Sequence, residues 1–184
     1  MFELALASDS SDSIMSAIKI YGQLMQGDND EAIELFKTFP NLHLLILQNV
    51  IMAMDCTPAP VMTPRDTDEL ALKRDLVRQS LWAFSNIAAM YPAVSRLEAF
   101  EEDELLLKDG SVGQALEVVK AAQLHHQTEL VIEGTFFLSA LCTTVSTRQL
   151  ATYLFHKEIV DVFIKVLDSK YGNAKLRLFV LDAL

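Results

Sequence analysis

The stretch VRQSLWAFSNIA (77–88) spaces Gln79, Trp82 and Asn86 three and four residues apart, which aligns them on one face of an α-helix. That face carries a flat indole beside carboxamides that donate and accept hydrogen bonds. Val77, Leu81, Phe84 and Ala88 recur on another face and are all apolar. Such a helix packs on one side and holds something on the other. Each polar candidate also has a structural alternative: Trp82 as a packing residue, and Asn86 as a hydrogen bond between helices.

Other chemistry is scarce. His125 and His126 are adjacent and cannot share a metal on one helix face, while His43 and His156 stand alone. No metal site, cofactor site or catalytic residue is expected. Cys56 lies in a proline-rich stretch, and Cys142 reads as a small buried hydrophobe. GxGxxG, P-loop, GxSxG and HExxH patterns are missing, and no nucleophile–base pair stands out, so an enzyme is not expected. Thr57-Pro58 and Thr63-Pro64 fit proline-directed phosphorylation, a dipeptide common by chance.

Half of the 184 residues are hydrophobic, Gly and Pro are few, and the net charge is −10. A pI near 4.8 and a mean hydropathy of +0.25 complete the profile. Such a balance disfavours nucleic acid and anionic membrane surfaces as partners and attracts basic peptides. The opening FELALA lacks the basic start of a secretory signal, and the apolar run 42–54 is interrupted by His43, Gln48 and Asn49. With two cysteines and no CxxC, a reducing cytoplasmic or nuclear setting is expected.

The elements are all helical by period and composition. Helices are expected from Asp12 or Ser13 to Gln26 and over 31–39, 42–54, 68–90, 93–100, 111–122, 127–143, 148–157, 158–167 and 174–184. Residues 55–67, with three prolines, read as a loop, and Pro92 as the end of the long helix. Residues 101–110, opening with four consecutive acids, read as a solvated connection.

The order short helix, apolar helix, long helix recurs. SLWAFSNIAA (80–89), GTFFLSALCT (134–143), LRLFVLDAL (176–184) and SAIKIYGQLM (16–25) align, placing Lys19, Trp82, Phe136 and Phe179 in register at spacings of 63, 54 and 43 residues. Gln23, Asn86, Ala140 and Ala183 correspond in the same way. RQSLWAFSNIAA thus resembles the third helix of an armadillo repeat, and most of all the importin-α family with its W-x-x-x-N pair. The stretches 26–50 and 144–169 resemble armadillo first and second helices.

The resemblance implies an all-α, right-handed superhelix of about three repeats with partial terminal ones. The boundaries would be 1–27 (partial), 28–91 with the insertion 55–67, 92–145 with the insertion 101–110, and 146–184 (truncated). It also implies a non-enzymatic adaptor whose concave groove holds an extended, basic peptide, as in nuclear-import cargo recognition. There asparagines hold the peptide backbone, and lysine and arginine stems pack between tryptophans. On this reading Gln79, Trp82, Asn86, Asp75, Glu129, Glu133 and Phe136 line the groove, with Asp12 on the same face. Only one repeat holds both Trp and Asn. The alternative is an armadillo scaffold that is a structural subunit of a larger protein assembly. Phe136 and Phe179 then serve as core or groove wall, and Glu129 and Glu133 as a solvated face.

Overall fold

The computed structural model of the chain describes residues 2–8, 10–26, 29–39, 45–46, 64–94, 111–144, 158–168 and 174–184. Outside them lie most of the expected helix 42–54, the loop up to residue 63, the insertion 101–110, and the helix 148–157. The same holds for residues 95–100, for His43 and His156, and for Cys56, Thr57 and Thr63. Every described element is helical, as expected. They are α1 (Phe2–Leu6), α2 (Ser11–Leu24), α3 (Asn29–Thr38), α4 (Pro64–Val94), α5 (Ser111–Leu124), α6 (Thr128–Thr144), α7 (Ile159–Asp168) and α8 (Ala174–Ala183).

Three ends differ from the sequence reading. Ser10, not Asp12 or Ser13, caps α2: its backbone is extended and its hydroxyl accepts from the Ser13 N–H at 3.4 Å. Helix α4 begins at Pro64, inside the expected loop, because a proline at the first helical position forfeits only an N–H that has no intrahelical partner. It also runs past Pro92 to Val94. A proline in the last turn costs one backbone hydrogen bond and leaves little helix beyond it to break.

The turn between α5 and α6 is closed without glycine. The Gln127 N–H reaches the Ala122 carbonyl at 2.8 Å and the His126 N–H reaches that of Gln123. His126 takes the left-handed conformation that this closure requires, with φ 55°.

Helix α2 packs against α4, α4 against α6, and α6 against α8. The shorter helices flank this series, with α1 on α2, α3 on α4, and α5 on both α6 and α7. Helices α4 and α6 run parallel, because their contacts climb both together. Arg78 lies by Glu129, Leu81 by Gly134, and the Phe84 ring 5.5 Å from that of Phe137. Two parallel neighbours require an intervening element to carry the chain back, and α5 is that element.

The expected core face of α4 is buried throughout: Val77, Leu81, Phe84 and Ala88. Val112, Ala115, Leu116, Val118 and Val119 of α5 are buried too. Each large side chain so removed from water contributes about 1.5–3 kcal/mol. Ile159, Val162, Phe163 and Val166 take the buried positions of α7, while Ile164 is exposed.

Close approach of α5 to α6 depends on Gly134. A methyl group there would collide with Val119 Cγ2 and lie 3.6 Å from Leu81 Cδ1. Gly134→Ala should therefore destabilise the fold by about 1–3 kcal/mol in urea denaturation. Adding Val119→Ala should make the Gly134→Ala step less costly than it is in the wild-type background.

Candidate functional site

The nominated residues fall into three groups, at three successive junctions between long helices. The first is at α2 and α4. Trp82 is half-buried and sets the Cε3–Cζ3–Cη2 edge of its indole against Gly22, so closely that a Cβ on that glycine would collide with the ring. One turn on, the Asn86 carboxamide donates to the Gly22 carbonyl at 2.9 Å and accepts from Gln26 Nε2 at 3.4 Å. The pair that defines the motif thus grips one glycine of the neighbouring helix from two sides. Gln79 is half-buried on the same helix, without a described side-chain hydrogen bond.

The second group is at α4 and α6. The Asp75 carboxylate accepts from Arg78 Nε at 2.9 Å, and Glu129 approaches the same guanidinium at 3.8 Å. Glu133 lies one turn further along α6, half-buried. Burial pushes its carboxyl above the usual range, Arg78 opposes the rise, and Glu129 adds to it. Three acids therefore surround one arginine. Asp75, Arg78 and Glu129, with Arg74, His125 and His126, line an open cleft of about 460 Å³ beside the α5–α6 turn.

The third group is at α6 and α8. The Phe136 and Phe179 rings meet edge to face, with centroids 5.2 Å apart. Lys175 Nζ stands 5.9 Å from the Phe136 centroid and 6.0 Å from that of Phe179. The chain's own ammonium group occupies the aromatic surface. Lys19 and Asp12 are exposed on α2, apart from these groups.

Cys142 is buried, and its thiol is pushed up to about 12 by that burial, which leaves it a hydrophobe rather than a nucleophile. Among the described residues no three His, Cys, Asp or Glu side chains are placed to hold a metal ion. No helix of the described residues is long and apolar enough to cross a membrane.

Gly22, Gln26, Arg78 and Lys175 are the participants the sequence reading passed over. Arg78 was open to view, three residues from Asp75. Gly22 shares a column with Ser85, Ser139 and Asp182 in the register of the long helices, and the first three are small. Lys175 gave no signal, since its approach to both rings depends on how α8 sits on α6. No protein-family model, no characterised protein and no solved structure matches the chain.

Gly22→Ala should destabilise the wild type by about 1–3 kcal/mol because Trp82 fills the space. In a Trp82→Ala background the same change should be neutral or stabilising, since alanine favours a helix over glycine by about 1 kcal/mol. A urea-denaturation double-mutant cycle reads the reversal.

Glu133 has a folded pKa above its ordinary value of 4.5. The stability its neutral form contributes is thus present below the ordinary value and lost as pH rises through the raised one. Glu133→Gln should be more stable than wild type near neutral pH, and the difference should vanish in acid. Equal effects at both pH values would contradict the shift.

Proposed function

We propose that the chain is a non-enzymatic armadillo-like helical scaffold, a structural subunit of a larger protein assembly, whose aromatic and amide rungs serve its own packing. The observation that carries this reading is the double grip of Trp82 and Asn86 on Gly22. A side chain already hydrogen-bonded to its neighbour must lose that bond before it can hold a peptide backbone. Arg78 likewise pairs with Asp75 and lies beside Glu129, two of the acids that would attract a basic ligand. The parallel course of α4 and α6 supports a right-handed solenoid of about three repeats. The buried Cys142 thiol accords with a reducing cytoplasmic or nuclear setting.

One observation favours the second reading, an importin-α-like adaptor for a basic extended peptide. The Phe136–Phe179 pair already receives an ammonium group, that of Lys175. A lysine from another chain would find the same surface.

Fluorescence anisotropy with a labelled Lys/Arg-rich peptide separates the two. The scaffold reading expects no saturable binding at low salt, in the wild type or in Lys175→Ala. Salt-sensitive binding that Lys175→Ala strengthens and Glu129→Gln weakens would replace it with the adaptor reading.

A further inference from the structure

Arg74 carries the unmatched charge in the cleft beside the α5–α6 turn. The other arginine of the lining, Arg78, is taken: Asp75 accepts from its Nε at 2.9 Å, and Glu129 stands 3.8 Å away. Arg74 is half-buried. Its Nε is sealed from water without a hydrogen-bond partner, and no carboxylate pairs with it among the described residues. A cation stripped of part of its water and given no anion in return is costly.

The cleft's second helix wall is the start of α6. There the Thr128 N–H donates to the His126 carbonyl, and the Val131 N–H to that of Gln127. Between them, the N–H groups of Glu129 and Leu130 have no acceptor among the described residues, and both residues line the cleft. These groups are the positive end of a helix of 17 residues. The lining also holds the Thr128 hydroxyl and the His125 imidazole, both capable of donating a hydrogen bond. Two helices thus turn donors toward one space.

We propose that this cleft binds a carboxylate, with the Arg74 guanidinium on one side and the first-turn N–H groups of α6 on the other. Charge decides the class of anion. Arg74 supplies one unmatched positive charge, and Asp75 and Glu129 stand on the same walls. A single carboxylate matches Arg74, whereas a phosphate dianion would bring a second negative charge beside two acids already present. A carboxylate is also planar, and a guanidinium meets it with two parallel N–H bonds. Glu129 does not fill this role, because its side chain is 83% exposed and its ion pair is with Arg78.

The volume of about 460 Å³ is that of a small-molecule site and is more than a carboxylate alone fills. The acid therefore belongs to a larger group, either a small organic acid or an acidic side chain of a partner protein. The proposal is independent of whether the Trp82–Asn86 rung serves packing or a peptide.

Backbone amide shifts of the full chain, followed by NMR at constant ionic strength above neutrality, test this. The probes are butyrate, glutamate capped as its N-acetyl α-amide, and inorganic phosphate, which is then largely a dianion. Both carboxylates should shift the Glu129 and Leu130 amides saturably, and phosphate should bind more weakly. Tighter binding of the capped glutamate than of butyrate would assign the cleft to an acidic side chain, and the reverse to a small organic acid. Arg74→Gln should weaken carboxylate binding roughly tenfold or more. Glu129→Gln, which removes a competing charge, should strengthen it roughly two- to fivefold. Circular dichroism should show native helix content in both variants. Should Arg74→Gln fail to fold, the gain in Glu129→Gln still reads the same site. The absence of a saturable shift with either carboxylate, unchanged affinity in a folded Arg74→Gln, no gain in Glu129→Gln, or tighter binding of phosphate would overturn the proposal.

Discussion

Two long helices meet closely at Gly22 because that residue has no side chain. Glycine inside a helix costs about 1 kcal/mol against alanine, so its presence in the last turn of α2 needs an offsetting gain. The gain is the burial of much of an indole against bare backbone, together with a carboxamide bond to the carbonyl that the same close approach brings within reach. Trp82 sets the separation of the helices and Asn86 sets their register. Gln26 then orients the Asn86 amide through its carbonyl oxygen. Gly134 repeats the device at the next layer, where the intruding side chain is Val119 and no polar group takes part.

Charge is arranged by the same helix junctions. Asp75 and Arg78 are neighbours on one turn of α4, and the parallel course of α6 brings Glu129 and Glu133 to the same guanidinium. Exposed pairs of this sort add little stability, about 0–1 kcal/mol each. Their consequence is electrostatic: one arginine offsets acids on a chain whose net charge is −10. The half-buried Glu133 feels that arginine, yet desolvation outweighs it.

Core faces were legible in the sequence because a 3.6-residue period depends only on local geometry. Val77, Leu81, Phe84 and Ala88 illustrate this, as does the apolar side of α5. Phe136 and Phe179, which the sequence alignment puts at corresponding positions, meet edge to face at the junction of α6 and α8. What the sequence could not reveal is direction across a junction. Gln79, Trp82 and Asn86 share a helix face, but nothing local says whether that face looks to an open groove or to Gly22, sixty residues earlier. The ends of α4 failed for another reason: Pro64 starts the helix inside the expected loop, and Pro92 sits too near its end to stop it.

The energetics explain why a Trp–Asn pair favours an internal partner. Holding a separate peptide requires offsetting about 4–15 kcal/mol of lost translational and rotational freedom before any affinity appears. A single hydrogen-bonded rung returns about 1 kcal/mol net, so a peptide groove works by summing several. Lys19, Phe136 and Phe179 occupy the other Trp positions, and Gln23, Ala140 and Ala183 the other Asn positions, which leaves one complete rung. Within the chain the same pair meets no such association cost, because folding already holds α2 beside α4. One rung is too few to capture a ligand and enough to fix the spacing and register of two helices.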